Sequence, residues 1–130
     1  MTSGALGRVY RDGETIVRQG ETGDCMYVIQ QGKVEVLREG GGRTIRLTEL
    51  GAGEIFGEMA LYEKTPRSAT VRAVGEVRVL TVDKRTFLRR VQEDPSLAFN
   101  VLRALSARIR ALNVEVATLR EQLRARHEEP

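Results

Sequence analysis

The 130-residue chain is poor in cysteine, histidine and aromatic residues: it has one cysteine, Cys25, one histidine, His127, and no tryptophan. A single thiol forms no intramolecular disulfide. One cysteine and one histidine are also too few ligands for a His/Cys metal site. The sequence also lacks a signal-peptide core and any run of the ~18 to 20 apolar residues that a membrane span needs. We therefore expect a soluble, cytoplasmic protein without metal or cofactor.

The charge is nearly balanced, with 21 Lys and Arg against 18 Asp and Glu. Part of the basic excess lies near the C-terminus, in Arg103, Arg108, Arg110, Arg120, Arg124 and Arg126. A basic helix is compatible with nucleic acid or an anionic membrane as partner. Glu115 and Glu121 interleave with these arginines, however, and favour the solvated face of an amphipathic helix.

Residues 8–83 contain short β-rich segments that glycine turns separate. The segments are Val9–Tyr10, Thr15–Arg18, Met26–Gln31, Lys33–Arg38, Thr44–Leu50, Ser68–Ala73 and Val77–Asp83. Gln31-Gly32 and the triplet Gly40–Gly42 are typical of tight hairpins, because glycine adopts a positive φ at little steric cost. Regular spacing of short strands indicates an antiparallel sandwich or barrel. We assign residues 1–83 to this β-barrel.

The hydrophobic period changes at Lys84, where a helix is predicted. Asp94-Pro95 interrupts it, and Pro95 is placed to open the next helix. We assign residues 84–130 to C-terminal helices and expect barrel and helices to form one domain overall.

A heptad seam runs along the last helix. Its residues, alternately at positions a and d, are Leu102, Leu105, Ile109, Leu112, Val116, Leu119 and Leu123. β-branched residues at a with leucine at d favour a parallel two-stranded coiled coil, and hence a parallel homodimer. The alternative is that the seam packs against the barrel of the same chain. This is plausible for the turns up to Leu105. It is less so for the stretch to Leu123, because the further ~18 residues run ~27 Å, about the width of a small domain.

The segment Gly53–Ala73 carries the most functional information. Gly57 precedes a stretch, Glu58–Leu61, that is compatible with one helical turn, whose N–H groups favour an anion. Arg67 could clamp a phosphate, and the Glu58 carboxylate could accept from a sugar hydroxyl. Taken alone, Glu58 and Arg67 in such a pattern are more often a surface ion pair than a ligand clamp, and Gly57 is more often only a turn.

No catalytic constellation accompanies this segment, so we do not expect an enzyme. Cys25 is the one conceivable nucleophile, and no histidine lies near it in sequence. A small residue packed at the start of a strand is the favoured interpretation of Cys25.

The same segment resembles the phosphate-binding cassette of the cyclic nucleotide-binding domain family, which includes cAMP-dependent kinase regulatory subunits, gated channels and the bacterial catabolite activator. The family pattern F-G-E, then small or apolar residues, then P-R-[AST]-A-x-V, corresponds to Phe56-Gly57-Glu58-Met59-Ala60-Leu61 and Pro66-Arg67-Ser68-Ala69-Thr70-Val71. The stretch from Gly13 to Val34 is similar to the opening strands of the family. The resemblance covers about residues 8–125, nearly the whole chain.

The resemblance implies a jelly-roll-like barrel (a double-stranded β-helix), followed by a long dimerisation helix, that binds cAMP or cGMP as ligand. It implies that Glu58 accepts from the ribose 2′-hydroxyl and that Arg67 pairs with the exocyclic oxygens of the cyclic phosphate. The implied ligand-binding residues are Phe56, Gly57, Glu58, Met59, Ala60, Arg67, Ser68, Ala69 and Val71. Many members of the family have lost the arginine or the glutamate and no longer bind nucleotide, whereas this chain keeps both.

Two departures from the family's bacterial regulators limit the resemblance. Only seven residues follow Leu123, so we expect no helix-turn-helix module and no direct DNA binding. Those regulators contact the base with hydroxyl side chains of the long helix, whereas Val116 and Ala117 align with these positions here, with Asn113 and Thr118 close by. The resemblance thus gives Asn113, Val116 and Ala117 as candidate base contacts. The base preference therefore stays open, as do a scaffold without ligand, a receptor for a cyclic dinucleotide and the downstream protein partner.

Overall fold

The computed structural model describes residues 7–128, which form an antiparallel β-sheet, a single-turn 3₁₀ helix and two α-helices. The strands are β1 (Arg8–Tyr10), β2 (Thr15–Val17), β3 (Cys25–Gly40), β4 (Arg43–Leu50), β5 (Ile55–Phe56) and β6 (Thr70–Asp83). The 3₁₀ helix is Glu58–Leu61, and the α-helices are α1 (Lys84–Glu93) and α2 (Ser96–Glu128). Residues 1–6 of the predicted barrel and residues 129–130 of the predicted helices lie outside the described residues.

Two long strands, β3 and β6, form the centre of the sheet. They pair antiparallel from Cys25 opposite Asp83 to Leu37 opposite Thr70. β1 and β2 extend the sheet from β6, and β4 and β5 extend it from β3, with every pair antiparallel. The predicted class, mainly antiparallel β followed by C-terminal helices, is confirmed.

The hairpin predicted at Gln31-Gly32 is wrong, because β3 continues through it. Gly32 has φ 89° and lies where the pairing with β6 shifts, so that Gln31 faces Arg78 but Lys33 faces Val74. Gly75, also at positive φ, lies in the unpaired stretch of β6 opposite. A glycine at positive φ is found in bulges as well as in turns. Because β3 and β6 are both irregular here, their pairing resumes at Lys33 and Val74.

The hairpin predicted at the glycine triplet is confirmed. Gly41 and Gly42 have φ 59° and 75° and connect β3 to β4, and Gly40 pairs with Arg43. Two consecutive residues at positive φ match a two-residue hairpin loop whose twist agrees with that of its strands.

The core lies on one face of the β3–β6 ladder and its neighbours. Ile29 and Val34 of β3 and Val77 and Val79 of β6 are essentially inaccessible to solvent. Apolar residues from the other strands pack around them, namely Tyr10, Val17, Leu50, Phe56, Val71 and Ala73. The cassette runs from the end of β5 to the start of β6, and Phe56 and Val71 at its two ends belong to this core.

The two helices belong to two compact units, residues up to 93 and residues from 94 onward. The Thr86 N–H donates to Asp83 Oδ1 over 2.7 Å at the start of α1, and this hydrogen bond lowers the pKa of Asp83. The predicted interruption is confirmed: α1 ends at Glu93, and Asp94 Oδ1 accepts from the Ser96 N–H at the start of α2. Within residues 7–128, no helix is long and apolar enough to cross a membrane.

Candidate ligand-binding site

The cassette begins where β5 ends. Gly57 has φ 75° and ψ 16°, a left-handed conformation that costs glycine little. The chain then enters the predicted turn, Glu58–Leu61, which is one turn of 3₁₀ helix closed by the Ala60 N–H donating to the Gly57 carbonyl oxygen over 3.2 Å. A glycine is therefore required at this entry by its backbone conformation as well as by space.

Two main-chain carbonyl groups hold the half-buried guanidinium of Arg67. Nη1 donates to the Gly57 oxygen over 3.1 Å, and Nη2 donates to the Cys25 oxygen over 2.9 Å. These bonds join the end of β5 to the start of β3. Because a guanidinium carries five N–H donors, the two bonds orient it and leave it able to donate to a further acceptor.

An aromatic pair lies next to this arginine. The rings of Tyr27 and Phe56 stack with centroids 4.9 Å apart, and Arg67 Cζ lies 5.8 Å from the Tyr27 centroid, within the range of a cation–π contact. Burial, together with the hydrogen bond between the Tyr27 hydroxyl and the Cys25 sulfur, raises the pKa of Tyr27 to about 12. Tyr27 therefore stays neutral at physiological pH and puts no negative charge beside Arg67.

The structure brings Gly57 and Arg67 of the predicted cassette into contact, and the other predicted cassette residues lie at different depths. Gly57 and Arg67 are in contact, and the half-buried set also includes Glu58, Ala60 and Ala69. Met59 and Ser68 are exposed, whereas the side chains of Phe56 and Val71 lie in the core. Contact of a ligand with any of these residues stays a prediction.

This arrangement can bind an anion. The Arg67 guanidinium is a cation held in place, and it has further N–H donors besides the two that the carbonyl groups bind. Tyr27 beside it is neutral, and Gly57 exposes the backbone at the start of a helical turn. No three His, Cys, Asp or Glu side chains in the described part of the chain lie close enough together to hold a metal ion.

Comparison with known proteins identifies the family of the chain. The family model for the cyclic nucleotide-binding domain matches residues 7–94, which include every strand and the whole cassette. The chain belongs to the cyclic nucleotide-binding domain family.

Two named relatives of this cyclic nucleotide-binding domain illustrate its range. The cyclic AMP receptor protein of Thermus thermophilus is 35% identical over 113 residues, which are 86% of this chain and 52% of that protein. A cAMP-dependent protein kinase regulatory subunit of Mucor circinelloides is 42% identical over 86 residues, 65% of this chain and 20% of that protein. The chain thus spans about half the length of the first relative and a fifth of the second.

Solved structures of longer proteins also resemble this domain over most of its length. The catabolite activator protein of Thermus thermophilus superposes with a TM-score of 0.73 at 34% identity, covering 86% of this chain and 53% of that one. The EAL enzyme Bd1971 in its cAMP-bound form superposes with a TM-score of 0.60 at 34% identity, covering 94% of this chain and 33% of that one.

Other predicted residues of the domain lie on α2. Asn113, Val116 and Ala117 are exposed on this helix, in the second compact unit, and their contact with a base stays a prediction. Six of the seven seam residues are exposed within the single chain, and Leu105 is half-buried.

Three residues beside Arg67 were not among the predicted site residues, namely Gly23, Cys25 and Tyr27. Their segment joins the cassette through a bridge between Thr22 and Pro66 and through the Arg67 N–H, which donates to the Glu21 oxygen over 2.8 Å. The stretch from Gly13 to Val34, which contains these residues, was predicted only to be similar to the opening strands of the family. The loop Gly20–Gly23 lies close to Arg67 because β2 pairs with β6 and this antiparallel pairing continues to the bridge between Thr22 and Pro66, which no local pattern reveals.

Proposed function

We propose that this domain binds a cyclic mononucleotide, cAMP or cGMP, and works as a regulatory sensor rather than as an enzyme. The observation that carries the proposal is the Arg67 guanidinium, held by two carbonyl oxygens beside the left-handed Gly57 at the start of the 3₁₀ helix. Family membership supports the ligand class, and the EAL enzyme Bd1971, which has been solved in a cAMP-bound form, has a similar fold.

Each part of the nucleotide has a partner in this proposal. Arg67 pairs with the exocyclic phosphate oxygens, while the exposed Ser68 hydroxyl and the Ala69 N–H add phosphate contacts. The Gly57 backbone lies against the ribose and the phosphate, where its lack of a side chain permits close approach. The Glu58 carboxylate accepts from the ribose 2′-hydroxyl.

Titration calorimetry of the chain with cAMP, cGMP, a cyclic dinucleotide and 5′-AMP tests the function. We expect micromolar or tighter binding of one cyclic mononucleotide, and much weaker binding of 5′-AMP, whose phosphate is not tied back to the ribose. Heat from the dinucleotide alone would assign the site to another messenger. No heat from any of these ligands would contradict the proposal.

The 2′-hydroxyl contact is tested with the 2′-deoxy form of whichever cyclic nucleotide binds. Wild type should bind the deoxy ligand ~10- to 100-fold more weakly, because a hydrogen bond to a charged group contributes roughly 1.5–3 kcal/mol. Glu58→Gln should lose most of this discrimination, since it removes the charge but keeps the shape. Equal discrimination by wild type and Glu58→Gln would show that Glu58 does not contact this hydroxyl.

The output is proposed to be a movement of the C-terminal helices. The cyclic phosphate draws the 3₁₀ helix and Arg67 together, and residues 84–94 and α2 then repack over the site. A ligand shifts such an equilibrium only by its differential affinity for the two states. Hydrogen exchange across residues 84–125 should therefore slow when ligand is present, and identical exchange with and without ligand would exclude this mechanism.

The partner of the seam in α2 is proposed to be a second copy of the chain, in a parallel coiled coil. The exposed seam residues have 46 to 62% of their surface accessible in the single chain, a continuous apolar stripe over several turns. In the parallel register, Glu115 of one copy faces Arg120 of the other. The same stripe favours a second candidate function, a dimerisation scaffold without ligand, which absence of heat in the titration would support.

A further inference from the structure

Gly23 lies against the guanidinium of Arg67, although the two residues are far apart in sequence. A Cβ atom built on Gly23 would lie 2.3 Å from Arg67 Nη2 and 2.9 Å from both Cζ and Nε. Gly23 is not among the described glycines with positive φ, so any residue could adopt its backbone conformation. Glycine is needed here for space alone.

The segment around Gly23 also fixes the backbone and the side chain of the arginine. The Gly20 N–H donates to the Arg67 oxygen over 2.8 Å, and the Arg67 N–H donates to the Glu21 oxygen over 2.8 Å. The Cys25 oxygen accepts from Nη2 at 2.9 Å. The guanidinium therefore occupies a place set by the loop before β3 as well as by the cassette itself.

A second glycine approaches the other terminal nitrogen. A Cβ atom on Gly57 would lie 2.6 Å from Arg67 Nη1. With glycines at both nitrogens, the guanidinium can rest against main-chain atoms, and its direction is determined by two carbonyl groups instead of by flexible side chains. Such preorganisation reduces the entropy that binding must otherwise cost.

We infer that Gly23 is a positioning residue for the anion-binding arginine, and that the Gly20–Cys25 loop sets ligand affinity through it. The inference rests on the proposed function, since it concerns the same site. A methyl group at position 23 would displace the end of a flexible side chain and leave the backbone undisturbed. The fold should then survive while Arg67 leaves its place.

Gly23→Ala tests the inference, with Gly40→Ala as matched control. Gly40 also lacks a positive φ, and a Cβ atom there meets nothing within 4 Å. We expect Gly23→Ala to weaken binding of the preferred cyclic nucleotide ~10- to 100-fold, the range for a misplaced charge-assisted hydrogen-bond pair, with a melting temperature close to wild type. Gly40→Ala should change neither quantity.

Two further readouts separate positioning from a general structural effect. The Nε–H signal of Arg67 in nuclear magnetic resonance spectra of the ligand-free protein should move in Gly23→Ala and stay in place in Gly40→Ala. If Gly23→Ala lowers the melting temperature, adding Arg67→Ala should restore it, because the contact that causes the strain is gone. An unmoved signal, or strain that persists without the guanidinium, would overturn the inference.

The two proposals fail in different ways. If wild type binds a cyclic nucleotide and Gly23→Ala binds it within threefold as tightly, the positioning role is wrong and the proposed function stands. If wild type binds none of the nucleotides, the proposed function is wrong, and so is the inference that Gly23 sets ligand affinity.

Discussion

Arg67→Ala should bind cyclic nucleotide at least 30-fold more weakly than wild type, and at micromolar protein its binding should fall below detection by calorimetry. Truncating one partner of a desolvated, hydrogen-bonded charge pair costs ~2 to 5 kcal/mol, which corresponds to about 30- to 4,000-fold in affinity. The guanidinium is half-buried and already oriented by the Gly57 and Cys25 oxygens, so a bound phosphate gains its donors without reordering the side chain.

Two variants make this result specific. Arg18→Ala removes the same charge from an exposed side chain that pairs with Glu21, and it should bind like wild type. Arg67→Lys keeps the charge but loses the planar fork, so its affinity should fall between those of wild type and alanine. Binding by Arg67→Ala at wild-type strength would show that the anion binds elsewhere on the domain.

Much of the first unit was predictable because its signals are local. Alternating β-branched and polar residues predicted the strands, and consecutive glycines predicted the β3–β4 hairpin at Gly41 and Gly42. The turn Glu58–Leu61 was likewise predictable, since Gly57 marks its left-handed entry. Each of these features depends on a few neighbouring residues.

The long strands were not predictable by the same reasoning. Gly32 and Gly75 adopt positive φ like the hairpin glycines, yet each lies inside a continuous strand. What distinguishes these two glycines from the hairpin glycines is the strand opposite. An irregularity there matches the bulge, so that pairing shifts after Gln31 and resumes at Lys33. A single sequence shows the conformational preference of a glycine but not what stands opposite it.

The site was predictable in part, for a related reason. Gly57 and Arg67 are ten residues apart and meet across one loop, so the cassette could be interpreted from its spacing. Cys25 is 42 residues from Arg67, and its carbonyl oxygen reaches the guanidinium because the pairing of β2 with β6 continues to the bridge between Thr22 and Pro66. A main-chain carbonyl leaves no trace in the identity of its residue, so such a contact is recognised only in the fold.

Leu112→Glu should convert a dimer of this chain into a monomer. Leu112 occupies a d position near the middle of the seam and is 48% exposed in the single chain, where a carboxylate is tolerated. In a parallel coil the two glutamates would meet in the apolar core. An unpaired buried charge costs ~3 to 5 kcal/mol, so the dimer dissociation constant should rise at least ~100-fold.

Val114→Glu is the matched control, because it places the same charge on the same helix outside the seam. Val114 is at position f, 67% exposed, and should face solvent in the dimer as well. Sedimentation velocity at micromolar concentration should give a dimer for wild type and Val114→Glu and a monomer for Leu112→Glu. A wild-type monomer would contradict the coiled coil. A dimeric Leu112→Glu would place the interface on another surface, since no parallel seam centred on this leucine accommodates two unpaired carboxylates.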